Sequence, residues 1–335
     1  MILATKAAVA SVAGIVQSIA VAIAHTTSPY VTAYPWSAGF GTKYANPATL
    51  PTGNGLSLDF NGLSDIAIGH GSAPGVSAYP WSAGFGTKYA DPASPLAGSG
   101  YALDFSTSGN DIALGHDNSP YITAYPWSAG FGTKYSDPAT LPAGLVLAVK
   151  FSTAADNVVA GHQTSPYITA YPWSAGFGTK YSDPATLPPG TLNGVTFSTN
   201  DNAIVAGHNT SPYISAYPWS AGFGTKYADP ATLPTGTGRA VAFTTADDAI
   251  AVGHNTSPYL DVYAWSAGFG TRYADPATLP SGDCFGVDFS INDDTIALGG
   301  SSPRISAYPW SAGFGTRYAN PATLPTGTGR QVSFA

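Results

Sequence analysis

The chain has 335 residues, of which 9% are charged, and a formal net charge of −7. Its 12 basic residues form no run, which argues against a nucleic-acid partner. A single cysteine, Cys284, excludes an intrachain disulfide framework. Glutamate is absent, while Tyr, Thr, Val and Phe are plentiful, so the composition reads as all-β.

Residues 1–18 stand apart from the rest. Lys6 followed by an apolar run to Ala24 imitates a secretory signal peptide. Against that, Val21-Ala-Ile-Ala-His25 matches strand positions of later repeats, such as Ile250-Ala-Val-Gly-His254. The same match opposes membrane insertion, because the end of the apolar run is needed as a strand. Val9, Val12 and Val16 sit at helical spacing, and a short helix and an extra strand both fit there. The expected organisation is an apolar leader over 1–18, serving as helix, channel plug or docking segment, then a single domain over 19–335. A loosely ordered leader is the alternative.

From residue 19 onward one unit repeats. Its tryptophan falls at Trp36, Trp81, Trp127, Trp173, Trp219, Trp265 and Trp310, at intervals of 45 or 46 residues. Closely spaced Gly and Pro exclude long helices, and four short strand-like segments per unit indicate propeller blades. In the unit from Gly238 to Pro276, strand a is Ala240–Thr244 and strand b is Ala249–Gly253. Strand c is Tyr259–Trp265, and Thr271–Asp275 is the outermost strand d, stopped by Pro276.

The ends of the chain predict how the repeat closes. Strand a carries a phenylalanine at Phe60, Phe105, Phe151, Phe197, Phe243, Phe289 and Phe334. Trp36 has Gly14 at the matching upstream position, and no tryptophan follows Phe334. The two sets balance when Gly329–Ala335 supplies strand a of the first blade, with Val332 and Phe334 as closing residues. The expected fold is therefore all-β: a seven-bladed β-propeller of four-stranded blades, its ring closed by the C-terminal strand in the first blade.

Phe197-Ser-Thr-Asn-Asp201 resembles the end of strand a and its turn in WD40 propeller repeats. Trp219-Ser220 stands where that family has Trp-Asp, so the family's bonded tetrad is not implied. The uniform Tyr-Pro-Trp-Ser-Ala-Gly-Phe-Gly-Thr unit is similar to repeat propellers encoded by tailed bacteriophages. That resemblance implies a virion component.

The six histidines occupy one repeated position: His25, His70, His116, His162, His208 and His254. Equivalent points of a seven-fold ring lie too far apart to share a metal ion. The expected role is structural, bonding a turn carbonyl or the tryptophan N–H. Aspartates at the a–b turns lack the calcium-loop pattern and fit turn chemistry. The repeated aromatics fit packing between blades better than carbohydrate platforms. No nucleophile elbow, zinc motif or distinctive acid–base set stands out. No enzyme, metal or cofactor is therefore expected.

Departures from the repeat, at Gly75, Arg304 and Leu145, are the candidate partner contacts. The expected function is a non-enzymatic structural or protein-interaction propeller of a virion, bound to capsid or tail proteins or to copies of itself. The alternative is a multivalent lectin-like module for cell-surface glycans. The expected location is the virion, otherwise secreted or extracellular.

Overall fold

The computed structural model describes residues 20–335 except Leu63, so the leader expected over 1–18 lies outside the described residues. Short runs rich in β-branched and aromatic residues, punctuated by Gly and Pro, form strands throughout. The chain opens with β1 (Ala20–His25) and β2 (Val31–Pro35). A second sheet holds β3 (Gly55–Asn61), β4 (Asp65–His70) and β5 (Val76–Pro80). A third holds β6 (Gly100–Phe105), β7 (Asp111–His116) and β8 (Ile122–Pro126). Then come β9 (Val146–Phe151), β10 (Asn157–His162) and β11 (Ile168–Pro172), followed by β12 (Leu192–Phe197), β13 (Ala203–His208) and β14 (Ile214–Pro218). The sixth sheet has four strands: β15 (Gly238–Phe243), β16 (Ala249–His254), β17 (Leu260–Trp265) and β18 (Phe269–Arg272). The seventh has β19 (Cys284–Phe289), β20 (Thr295–Gly300) and β21 (Ile305–Pro309).

The last strand, β22 (Gly329–Phe334), returns to the start of the chain and pairs antiparallel with β1. Phe334 lies opposite Val21 and Val332 opposite Ile23, giving the sheet order β2-β1-β22. The Ala335 N–H donates to the Ala20 carbonyl at 2.9 Å. The Tyr34 hydroxyl donates to the Thr323 carbonyl at 2.7 Å, a second tie between the two ends.

Among the described residues, the expectation of four strands in each sheet holds only in the sixth. Elsewhere the outer segment makes a single bridge, Trp36 to Phe40 for instance, and no ladder. Pro35, Pro80, Pro126, Pro172, Pro218 and Pro309 end strand c in these sheets, and Ala264 takes that place in the sixth. Proline has no N–H to give a ladder and fixes φ, so a paired outer strand forms only where alanine replaces it. Arg272 on β18 adds a tie by donating to Asp261 on β17 at 2.5 Å.

Central strands are buried along their length because sheets pack against both of their faces. Each tryptophan is the hub of such a contact. Trp81 meets Phe60 of its own sheet, Phe85 of its own turn and Tyr44 of the preceding sheet, all edge-on at 5.1–5.3 Å. Trp36 does the same with Phe334, Phe40 and Tyr318, so the seventh sheet packs on the first. Such ring pairs contribute about 0.5–1.5 kcal/mol each beyond the area they bury. The tryptophans are 3–6% exposed, so they are not stacking platforms on the surface.

The histidines end the central strands and are fully buried. Their Nε2 atoms meet hydroxyls on the neighbouring strand rather than the tryptophan N–H. His25 pairs with Thr32, His116 with Thr123 and His162 with Thr169 at 2.9 Å, and His70 with Ser77 and His208 with Ser215 at 3.0 Å. The sixth sheet differs, with Asp261 lying 3.1 Å from His254 but out of line for a hydrogen bond. Trp127 and Trp173 donate instead to Asp65 and Asp111.

Two predictions follow from this architecture. Truncation after Thr328 removes β22 and bares the edge of β1. The truncated chain should lose its single cooperative melt and self-associate, read by calorimetry and size-exclusion chromatography. Burial holds His25, His162 and His208 down to about 4, against opposing backbone hydrogen bonds. These groups are neutral when folded and gain a proton on unfolding below about pH 6.5. Their contribution is therefore complete above about pH 6.5 and is lost as pH falls toward 4, on the order of 3 kcal/mol per histidine. Urea midpoints should fall across that window, and less steeply in His208→Asn.

Candidate functional site

The inner strands β3, β6, β9, β12, β15, β19 and β22 surround one cavity of about 1120 Å3. Consecutive inner strands touch, including β19 with β22 and β22 with β3. Each carries a register shift near its start, such as between Gly55 and Ser57 or Gly238 and Ala240. A bulge leaves one residue out of the ladder and re-aims its side chain. The second residue of each inner strand therefore lines the cavity: Leu56, Tyr101, Leu147, Asn193, Arg239, Phe285 and Arg330. The fifth residues form another tier: Asp59, Asp104, Lys150, Thr196, Ala242, Asp288 and Ser333. These two tiers are where the repeat abandons its uniformity.

The fifth-position tier is a linked polar arc. The Lys150 ammonium donates to Asp104 at 2.5 Å, and the other Asp104 oxygen accepts the Phe151 N–H at 2.8 Å. Asp59 accepts the Phe105 N–H at 3.1 Å and the Ser333 hydroxyl at 3.4 Å. Asp288 accepts the Phe334 N–H at 2.9 Å. The Asp104 side chain is 3% exposed and that of Lys150 is 37% exposed, so the carboxylate lies beneath and the ammonium reaches into the cavity. Burial pushes the Asp104 carboxyl up to about 6, opposed by Lys150 and reinforced by Asp59. Burial also works against the Lys150 ammonium, but Asp104, Asp59 and Asp288 outweigh it and hold Lys150 above its usual value.

These carboxylates also tie neighbouring sheets together, and a different device does so elsewhere. Asp201, Asp247 and Asp293 each reach from an a–b turn to two backbone N–H groups of the preceding sheet, at 2.7–3.0 Å. Turn aspartates thus join the fourth sheet to the fifth, the fifth to the sixth and the sixth to the seventh. Cavity side chains join the other four neighbours.

The second-position tier carries cations at one end of the same cavity. The guanidinium carbons of Arg239 and Arg330 lie 4.6 and 4.5 Å from the Phe285 ring centre. Both arginines end the same run, Thr235-Gly-Thr-Gly-Arg239 and Thr326-Gly-Thr-Gly-Arg330. Glycine is required before each: a Cβ at Gly238 or Gly329 would sit 2.3 or 2.2 Å from the carbonyl of Tyr213 or Arg304.

The structure does not converge the residues singled out from sequence. The histidines stay one to a sheet, each on its own hydroxyl or carboxylate. Gly75 and Arg304 are equivalent backbone positions on different sheets, with φ of 85° and 83°, where other repeats place a tyrosine near 70°. Leu145 accepts the Gln163 N–H through its carbonyl. Only Val332 and Phe334 reach the cavity wall. The missed residues are Asp59, Asp104, Lys150, Asp288, Arg239 and Arg330. Their signal was present: charged residues inside strand a, in Leu-Asp-Phe, Val-Lys-Phe and Gly-Arg, interrupt an apolar pattern. Among the described residues, no group of three His, Cys, Asp or Glu side chains is arranged to hold a metal ion.

No protein-family model matches the chain, and no curated protein matches it in sequence. Its fold is shared with solved propellers. A Bacteroides uniformis protein provisionally named a 6-phosphogluconolactonase is 14% identical, with a TM-score of 0.70 over 95% of this chain and 100% of its own. The periplasmic gluconolactonase PpgL of Pseudomonas aeruginosa is 11% identical, with a TM-score of 0.67 over 95% and 99%. The β-propeller domain of Myceliophteria thermophila Cps50 is 10% identical, with a TM-score of 0.59 over 81% and 88%. At these identities the likeness is one of fold. Two of these neighbours carry lactonase names, so the expectation of a non-enzymatic virion scaffold, with a glycan-binding module as its alternative, is withdrawn.

The Lys150–Asp104 pair gives a third prediction. Lys150→Met leaves a buried carboxylate uncompensated, at a cost of about 3 kcal/mol. Asp104 already binds its proton more tightly in the folded state than in the unfolded, and loss of the ammonium strengthens that. The destabilisation should therefore grow as pH rises from about 5 to 8, and Asp104→Asn in the same chain should relieve it. Urea melts of the single and double variants at both ends of that range check this.

Proposed function

We propose that the seven sheets are the blades of a closed propeller and that its central channel is the active site of a hydrolase. The substrate class is a small cyclic ester of a polyhydroxylated acid, a sugar lactone. One observation carries the reading: the repeat departs from uniformity on the channel-facing positions of the inner strands, where Asp104 and Lys150 sit. The lactonase names of two structural neighbours support the same class.

The chemistry follows from the pair. A lactone carbonyl oxygen entering the cavity draws the exposed Lys150 ammonium away from Asp104. The freed Asp104 oxygen then accepts a proton from water as the water oxygen bonds to the carbonyl carbon. Lys150 stabilises the resulting oxyanion, an effect worth ~10²–10³ in rate for one well-placed donor. When the ring C–O bond breaks, Asp104 returns the proton to the departing alkoxide, leaving an open-chain hydroxy acid. A carboxyl near 6 suits this role, since a general base works best when its pKa lies close to the operating pH.

The test is acid release from glucono-δ-lactone, followed in a pH-stat against spontaneous ring opening. Acceleration by the protein should rise through about pH 6 as Asp104 loses its proton. Asp104→Asn, assayed well below its own melting temperature, should lose roughly 10²-fold or more. Hydrolysis no faster than the spontaneous rate overturns the reading.

A further inference from the structure

The cavity separates charge along its length. Arg239 and Arg330 lie in one tier, and Asp59, Asp104 and Asp288 with Lys150 lie three residues further along the inner strands. Because the bulge takes one residue out of the ladder between them, roughly 8 Å separates the two tiers at a strand rise of ~3.3 Å per residue. Arg239 has a carboxylate partner in Asp283 at 3.3 Å. Arg330 has no ion-pair partner among the described residues. The Nε atoms of both arginines are buried without a hydrogen-bond partner. Burial and the neighbouring Arg239 charge together depress Arg330. Two guanidiniums are thus held against one phenyl ring from strands on either side of it, with a carboxylate partner for Arg239 alone among the described residues and an unpartnered Nε–H on each.

That is an unfavourable arrangement for an empty site. Like charges repel, and buried donors without acceptors cost free energy. A bound oxyanion removes both penalties, because a guanidinium presents paired N–H groups that match phosphate or carboxylate oxygens. Phe285 fixes the planes of both forks by cation–π contact, so little side-chain freedom remains to be lost on binding. The Thr-Gly-Thr-Gly-Arg run repeats only on the two strands that supply these arginines, on either side of the strand that supplies Phe285.

We propose that Arg330 and Arg239, clamped on Phe285, form an oxyanion-binding subsite at one end of the channel, which takes the phosphoryl or carboxylate group of the ligand. The proposal rests on the channel being the ligand site, and it adds the substrate's charge: an anionic group at the opposite end of the ligand from the reacting carbonyl, as the two tiers are separated along the strands. The anionic end seats on the arginines, and the far end meets Lys150 and Asp104. The acidic tier repels the anion, so the charge separation also fixes which way round the ligand lies.

The test separates binding from turnover. Inorganic phosphate and acetate are titrated separately against thermal unfolding of the full chain, at constant ionic strength made up with chloride. The wild type should show a saturable rise in melting temperature with phosphate, acetate or both, and the stronger probe identifies the preferred oxyanion. Arg330→Gln should weaken half-saturation at least about tenfold, equivalent to about 1.4 kcal/mol. Arg330→Lys keeps the charge but loses the fork and should fall between the two. A second arm compares hydrolysis of 6-phosphogluconolactone and glucono-δ-lactone. Arg330→Gln should raise KM for the phosphorylated lactone by a factor at least about fivefold larger than for the unphosphorylated one. Saturable stabilisation that is equal in all three proteins, or none in any, overturns the subsite whatever the activity shows. Stabilisation that depends on Arg330 without hydrolysis of either lactone keeps the subsite and removes the hydrolase reading.

Discussion

Every tryptophan in this protein is wedged edge-on between rings from two sheets. Two of its neighbours, a phenylalanine on the inner strand and one in the turn after strand c, belong to its own sheet. The third is a tyrosine from the outer segment of the preceding sheet. No sheet can therefore complete its own core. The seventh supplies Tyr318 to Trp36 of the first, so the arrangement has no sheet without a donor. This requirement explains why the Tyr-Pro-Trp-Ser-Ala-Gly-Phe-Gly-Thr unit varies so little: each ring fills a gap shaped by two others, and interior packing tolerates little change in volume.

That same requirement leaves the inner strands comparatively free. Their phenylalanines are held by the tryptophans, but their second and fifth residues face a cavity rather than a neighbouring sheet. Charged residues gather there. The turn aspartates and the cavity carboxylates divide the work of joining sheets, so Asp59, Asp104 and Asp288 carry a structural duty beside any chemical one. A substitution among them acts on stability and on the site together, as it does at Arg239, whose guanidinium donates to Asp283 of the next sheet, whereas no ion pair of Arg330 joins sheets among the described residues.

The sequence was informative about the repeat because the repeat is made of large rings at fixed intervals. Counting Phe against Trp placed Val332 and Phe334 beside β1, where the pairing with Ile23 and Val21 is found. It was less informative about the outer segment. Pro35 and its equivalents resemble ordinary strand ends in sequence, yet the missing N–H is what stops a fourth ladder strand, as Ala264 shows by exception. The cavity residues were overlooked for a different reason. The turns and crossing loops depart from the unit more visibly, at Gly75, Arg304 and Leu145, than strand a does. Its departures are single charged letters inside short apolar runs. Their meaning depends on a bulge that turns the second residue inward, and a bulge leaves no distinct mark in the sequence.

The sheet built from β22, β1 and β2 joins segments that lie far apart in the chain and are made at different times. At ~5–20 residues per second, β1 leaves the ribosome roughly 15–60 s before β22 exists. Through that interval β1 keeps an open edge, while near-copies of the missing strand emerge one after another behind it. Each nascent inner strand has its own central strand a few residues away, and short loop closure favours that local partner. The order of synthesis thus reserves the vacant edge of β1 for β22, the inner strand with no central strand of its own among the described residues.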